Sequence, residues 1–241
     1  MLFRSKEQNA NAAAQEAAAF KELTDKDPDI KKADAGYYYK VLKAGKAAKK
    51  LSSKNHFLPM CLYEFIIDYK DGKDIFSIHG YKLLENYFED KDIQMMSFKD
   101  LICELTLKNK DIDLFEPLIF LFRNMNRENR YLLGSMYVSH IVKRFGIMPV
   151  VDGCALCGNK KVVALSNRHG GFLCIDHLNG EQTQSPDTLK RFRLIIKGEF
   201  KDYDVLKQFE YSFKDFSLLM DFYLTNSDLK LRSYDFYKKL N

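Results

Sequence analysis

The chain of 241 residues has no tryptophan, has five cysteines, and is nowhere apolar for long. Its most apolar short run, LFEPLIFLF from Leu114 to Phe122, is interrupted by Glu116 and Pro117 and is far too short to span a bilayer. The opening residues, MLFRSKEQNAN, contain no apolar run of signal-peptide length. The expectation is therefore a soluble, non-exported, cytoplasmic protein with no membrane partner. There is no H-E-x-x-H, no Walker loop and no G-x-S-x-G elbow, which argues against the enzyme classes that need them. No repeat of fixed period is visible, so a solenoid is not expected. The missing tryptophan does not deprive the chain of a core: 19 Phe, 14 Tyr and a hydrophobic content of 46% make disorder of the whole chain untenable.

The charge is mildly basic, with 38 Lys and Arg against 33 Asp and Glu. That permits an anionic partner such as nucleic acid without demanding one. Where the charge sits matters more than its sum.

Along the chain, NANAAAQEAAAFKELTD is alanine-rich and helical by propensity, and DKDPDIKKADAG reads as a polar turn punctuated by Pro28 and Gly36. From Tyr37 the character becomes β-prone. CLYEFIIDY (Cys61 to Tyr69) and KDIFSIHGY flank Lys70–Asp71–Gly72–Lys73, the pattern of a β-hairpin. Strands this short close naturally into a small barrel or sandwich. After Gly80 the period shifts toward helix in YKLLENYFED and in SFKDLICELTLK, the second with Ser97 as a candidate cap. DLFEPLIFLFRNM is a further helix. RYLLGSMYVSHIVKRFG (Arg130 to Gly146) is the strongest, with Leu133, Met136, Tyr137, Ile141 and Phe145 along one face, Lys143 and Arg144 in its last turn and Gly146 as its stop. SPDTLKRFRLIIKG opens with Ser185 as N-cap and Pro186 at the first helical position. DYDVLKQF, SFKDFSLLMDFYLTN and LKLRSYDFYKKL read as three more helices. Helices before and after the cysteine-rich segment are expected to share one core.

That segment, GCALCGNKKVVALSNRHGGFLCIDH, gathers three of the five cysteines. Cys154 and Cys157 form C-x₂-C, and Cys174 and His177 form C-x₂-H. Two residues between ligands let a tight turn aim both side chains at one ion, and two such knuckles complete a tetrahedron for Zn²⁺. In a reducing compartment, clustered cysteines favour metal over disulfide. Gly158 suits the first knuckle turn and Gly170–Gly171 a hairpin turn, with KVVAL and GFL as paired strands. The segment resembles a zinc ribbon. Four protein ligands fill the shell, so one structural Zn²⁺ per chain is expected, with no open position for a substrate. The plain alternative is incidental buried thiols. His169 is a rival fourth ligand, placed where the ribbon should be turning. Cys61 and Cys103 read as core residues.

A second constellation is YKVLKAGKAAKKLSSK, which places Lys40, Lys43, Lys46, Lys49, Lys50 and Lys54 together with no acidic residue among them. The ordinary reading is a solvated face. Tyr37, Tyr38 and Tyr39 stand immediately before it, and lysines with stacking aromatics are the parts of a single-strand-binding groove. Lys190, Arg191 and Arg193 add basic surface close in sequence to the ribbon, against the simpler view of an amphipathic helix showing its wet face. Glu64 and Asp68, four apart in a strand run, read as surface carboxylates.

The order of these pieces resembles the bacterial recombination mediator family RecO. LKAGKAAKKLSSK is similar to that family's strand-to-loop stretch, FLPMCLYEFIIDYKDGKDIFSI to its hairpin, and YLLGSMYVSHIVKRFGIMPVVDGCALCG to the helix leading into the first knuckle. HGGFLC resembles the turn before the second knuckle, and LKLRSYDFYKKL the closing helix. The likeness covers residues 37 to 241 and is most specific in Gly146, Pro149, Cys154, Cys157, Gly170, Gly171 and Cys174. His177 stands where zinc-bearing members commonly have Cys. The resemblance implies an α+β protein: an OB-fold-like β-barrel in residues 1–80, an α-helical domain in 81–150 and 185–241, and a zinc-binding insert in 151–184. It implies a non-enzyme in the bacterial cytoplasm, associated with the nucleoid. Such a protein binds single- and double-stranded DNA, anneals complementary strands, works with RecR to load RecA on gapped DNA, and contacts the C-terminal tail of single-strand-binding protein. A zinc-ribbon nucleic-acid enzyme and a pure protein-interaction scaffold are the alternatives, and salt-dependent DNA binding separates the last from the first.

Overall fold

The computed structural model describes residues 30–32, 38–40, 60–68, 77–87, 92–109 and 113–241. The chain divides into two compact units, Met1–Asn86 and Tyr87–Asn241.

In the first unit, β1 (Ile30–Lys32) pairs antiparallel with β2 (Tyr38–Lys40), and β3 (Cys61–Asp68) with β4 (Ser77–Asn86). These are two separate two-stranded sheets among the described residues, and closure into a barrel is not seen there. The β3–β4 ladder carries register shifts at Leu62/Tyr63 and at Ile66/Ile67, the irregularities that bend and twist a ribbon. The expected hairpin is present, although its turn residues, Lys70 to Lys73, lie outside the described residues. Residues 81–86 depart from the helix their spacing suggested: they extend β4. Tyr81 stands opposite Phe65, Lys82 opposite Glu64 and Leu83 opposite Tyr63. The cross-strand partners, among them a Tyr63–Tyr81 edge-to-face pair at 6.0 Å, outweigh local propensity.

The second unit begins with α1 (Ile93–Lys108), α2 (Phe115–Asn124) and α3 (Arg130–Phe145). Next comes a short β-insert with β5 (Ala164–Ser166) and β6 (Gly171–Leu173), then α4 (Pro186–Lys197), α5 (Tyr203–Leu206), α6 (Phe213–Ser227) and α7 (Arg232–Lys239). Helix α1 starts a turn earlier than Ser97 suggested. Asp92 is its N-cap, accepting the Gln94 amide at 2.9 Å, and Ser97 lies inside the helix. Ser185 caps α4 by accepting from the Thr188 amide at 3.1 Å, with Pro186 following it. Gly146 ends α3 in the left-handed region at φ 72°, the conformation its lack of a Cβ permits.

Helix α3 is the spine. Leu133, Tyr137, Val138, Ile141 and Val142 are fully buried, whereas Phe145, in the last turn, is about half exposed (48%) rather than on the core face expected of it. A Cβ on Gly134 would stand 2.5 Å from Phe98 Cζ and 3.0 Å from Phe216 Cε2, so α1 and α6 press on the same point of α3 from two sides. Phe98, Tyr137, Leu189, Phe216 and Tyr234 belong to one apolar cluster that draws on helices before and after the insert. Among the described residues, no helix is long and apolar enough to cross a membrane.

Candidate metal centre

The insert is held to the helical unit by backbone. Val150 and Gly171 form a parallel bridge in which the Val150 amide donates to Gly170 O and the Phe172 amide to Val150 O, both at 2.9 Å. A Cβ on Gly171 would lie 2.5 Å from Val150 O, so only glycine admits this approach. Strands β5 and β6 pair through Ala164–Leu173, Leu165–Phe172 and Ser166–Gly171, with Gly170 turning between them at φ 67°. The β5 strand is ALS rather than the KVVAL segment expected. Val163 is nevertheless tied into the sheet edge, its amide donating to Leu173 O at 2.8 Å.

The first knuckle leaves this sheet through Ala155, whose amide donates to Phe172 O at 2.7 Å. It closes with Gly158 N donating to Cys154 O and Cys154 N to Asn159 O, each at 2.8 Å, and Gly158 sits at φ 75°. The second knuckle is the 3₁₀ turn Ile175–His177 directly after β6, closed by the His177 amide on Cys174 O at 3.2 Å.

The two knuckles bring Cys154, Cys157, Cys174 and His177 together, with their ligand atoms all within 4.8 Å of one another. Cys157 Sγ lies 3.7 Å from Cys174 Sγ, and His177 Nδ1 lies 3.3 Å from Cys174 Sγ and 3.6 Å from Cys154 Sγ. Regular tetrahedral coordination at ordinary Zn–S and Zn–N lengths gives edges of roughly 3.8 Å between sulfurs and roughly 3.6 Å between sulfur and nitrogen. The separations fit that figure and are far longer than the ~2.05 Å of a disulfide. Burial raises the Cys154 thiol, but the amides of Cys174, Leu156 and Cys157 more than offset it and bring it down to about 6. The Asn159 amide favours the Cys157 thiolate, yet desolvation and the neighbouring sulfurs of Cys154 and Cys174 leave Cys157 raised. Crowded thiolates repel one another until a cation joins them, so the donor set suits a divalent metal. Such an ion would cross-link the knuckles, and its four protein donors leave no position for substrate.

Of the two rival histidines, His177 is the one the fold brings to the sulfurs. His169 lies in the β5–β6 turn, where its amide donates to Ser166 Oγ at 3.1 Å.

The basic residues expected to meet DNA are placed unevenly. Lys40 ends β2, while Lys43, Lys46, Lys49, Lys50 and Lys54 lie outside the described residues. On α4, Lys190 and Arg193 are exposed one turn apart. Arg191 faces inward: its guanidinium pairs at 2.8 Å with Asp215 of α6, whose side chain is 5% exposed. Three charged residues next to this face were not singled out by sequence. Asp152 accepts from both Arg193 and Lys197 at 2.6 Å, and Lys160 donates to its backbone carbonyl at 3.0 Å. The i, i+4 spacing of Arg193 and Lys197 was visible in the sequence; the partner 41 residues before Arg193 was not.

Comparison with known proteins agrees with this architecture. The family described as "Recombination protein O C terminal" matches residues 90–227, which contain the helical unit's centre and the whole metal-ligand group. The chain is 25% identical over 189 residues to the DNA repair protein RecO of Thermoanaerobacter sp. (strain X514), covering 73% of this chain and 74% of that one. It is 23% identical over 225 residues to the DNA repair protein RecO of Caldanaerobacter subterraneus subsp. tengcongensis, covering 85% and 88%. To the DNA repair protein RecO of Bacillus cereus (strain AH187) it is 30% identical over 105 residues, covering 40% and 42%. With more than half of its length matched to the family, the metal-ligand group included, the chain belongs to the RecO family of DNA repair and recombination proteins.

Proposed function

We propose that the protein is a recombination mediator that acts by binding rather than by catalysis. In this reading it holds single- and double-stranded DNA, anneals complementary strands without nucleotide, and with RecR helps RecA replace single-strand-binding protein on gapped DNA in the bacterial cytoplasm, at the nucleoid. It meets single-strand-binding protein through that protein's acidic, apolar C-terminal tail.

The observation that carries this reading is the family match across residues 90–227. The division of labour proposed is an OB-fold-like barrel in the first unit, which β4 carries to Asn86 rather than to residue 80, a helical domain in 87–150 and 185–241, and a structural Zn²⁺ in the insert at 151–184. Lys40, Lys43, Lys46, Lys49, Lys50 and Lys54 neutralise phosphates on the barrel, and Lys190 and Arg193 do so on α4. The zinc ion would be held by Cys154, Cys157, Cys174 and His177 and would supply rigidity alone.

The test is annealing of two complementary labelled oligonucleotides by the purified protein. Annealing without ATP is expected. A requirement for ATP, or no acceleration over the spontaneous rate, would refute the mediator reading.

A further inference from the structure

The three sulfurs of the metal centre differ in what can reach them. Cys154 is 2% exposed and Cys174 is fully buried, whereas Cys157 is open to solvent. Cys157 Sγ also lies 3.7 Å from Cys174 Sγ. One sulfur can therefore be met from outside, and it stands against a second that cannot. Cys154 is already engaged, its sulfur accepting from the amides of Cys174, Leu156 and Cys157.

We propose that the centre is also a peroxide-sensitive device, in which Cys157 is oxidised first, Cys174 resolves it to a disulfide, and the metal ion is displaced. The inference rests on the reading of the quartet as a zinc site. It leaves rigidity as the ion's role and assigns the ion's controlled loss to the sulfurs.

The chemistry balances on the site's own groups and one hydrogen peroxide. The Cys157 thiolate attacks a peroxide oxygen: an S–O bond forms, the O–O bond breaks and hydroxide leaves, so the sulfur is oxidised by two electrons to a sulfenic acid. The Cys174 thiolate then attacks that sulfur. The S–S bond forms, the S–O bond breaks and a second hydroxide leaves. Both hydroxides take a proton from solvent and become water. Closing 3.7 Å to the ~2.05 Å of a disulfide asks for roughly 1.7 Å of motion, shared between the first knuckle and the 3₁₀ turn that follows β6. Cys154 and His177 are then the remaining donors, one on each knuckle, and two donors do not complete a tetrahedral zinc shell. The disulfide joins the same two knuckles that the ion joined. The insert thus keeps a cross-link when the ion goes, and a thiol reductant with zinc restores the site. Cys103 takes no part, because burial pushes its thiol up to about 11.

The experiment adds hydrogen peroxide to the freshly purified full chain beside a chromogenic zinc chelator, with a peroxide-free control, and maps disulfides in the same samples by non-reducing peptide mass spectrometry. One zinc ion should leave per disulfide formed, the bridge should be Cys157–Cys174, and dithiothreitol with added zinc should reverse both. Cys157→His removes the reachable sulfur while keeping a nitrogen donor, so it should hold zinc and release it on the order of tenfold more slowly. Should that variant fail to hold zinc, the bridge mapped in the parent decides alone. A Cys154–Cys157 bridge, release without a disulfide, no peroxide-dependent release, or a parental release rate in zinc-loaded Cys157→His overturns the device and leaves the zinc assignment intact. A parent that carries no zinc as purified overturns both.

Discussion

Glu104 on α1 caps α7, which begins more than a hundred residues later. Its carboxylate accepts the Ser233 amide at 2.9 Å and the Arg232 amide at 3.3 Å, and the Ser233 hydroxyl donates to it as well. Leu231, at the N-cap position of α7, has no side-chain acceptor of its own, so the orphan amides are met by another helix. The same helix buries Tyr234 and Tyr237 completely, which makes the tertiary cap an anchor for the end of the chain.

Glu104→Ala should therefore cost about 1 kcal/mol, within the range of N-cap losses, with Glu104→Gln intermediate. Desolvation raises the Glu104 carboxyl, but the hydrogen bonds from Ser233 and Arg232 outweigh it and leave its pKa below the ordinary 4.5. A depressed carboxylate stabilises above its unfolded pKa and loses that contribution as pH falls through the folded one. The unfolding temperature of the parent should thus drop more steeply than that of Glu104→Gln below about pH 4.5. Parallel pH profiles would show that the cap carries no stability.

Freshly purified protein should hold one zinc ion per chain by elemental analysis. Cys157→Ser and His177→Ala should lose it and lower the unfolding temperature, whereas His169→Ala should keep it. Chelation should reproduce the Cys157→Ser phenotype, because ligand closure contributes folding free energy directly. Less than half an equivalent of zinc, or metal lost in the His169 variant and retained in the His177 variant, would disprove the assignment.

Helices α3 and α4 could be read from sequence because periodicity and caps agree at both ends: Gly146 after Phe145, Ser185 before Pro186. The metal quartet could be read because ligand spacing is a local property of each knuckle. What sequence could not supply was tertiary. The YKLLE segment carries apolar residues at both helical and strand spacings, and its pairing with Tyr63 to Phe65 decides the outcome. Asp92 and Ser97 are both good caps, and only where α1 begins selects between them. The side of α4 on which Arg191 lies depends on Asp215, 24 residues away on another helix.

Gly134→Ala should destabilise by about 1–3 kcal/mol, the usual cost of overpacking. The new methyl would meet Phe98, which is fully buried and ringed by Tyr131, Phe216 and Tyr237, so the ring has nowhere to go. Thermal denaturation of the variant, with zinc content unchanged, measures it. A neutral result would mean that α1 can slide away from α3.

Lys46→Glu, Lys49→Glu and Lys50→Glu combined should weaken single-strand binding and flatten its salt dependence, by about 0.7 for each phosphate no longer neutralised. A parental slope would reduce the run to a solvated face.

Arg191 and its neighbours on α4 separate packing from binding. Asp215 is 5% exposed on its side chain, accepts from Arg191, and also takes the Ser212 amide at 2.9 Å and the Ser212 hydroxyl at 2.7 Å. It therefore closes the capping box of α6 while tying α6 to α4. Removing one partner leaves the other charge poorly solvated, so Asp215→Ala should cost at least about 2 kcal/mol, between the loss of a cap and the loss of a buried ion pair. Arg191→Gln should cost less, since the guanidinium is partly exposed at 23% and Ser212 still satisfies Asp215. Neither change should alter the salt slope of DNA binding, because neither residue has charge to offer a phosphate. Lys190→Gln with Arg193→Gln should do the opposite: unfolding nearly unchanged, as befits exposed side chains, and a flatter slope. Measuring both quantities on the same variants settles the roles. A slope that falls with Arg191→Gln at unchanged stability would put Arg191 on the DNA and break the assignment of this helix into an inner structural arginine and an outer binding pair.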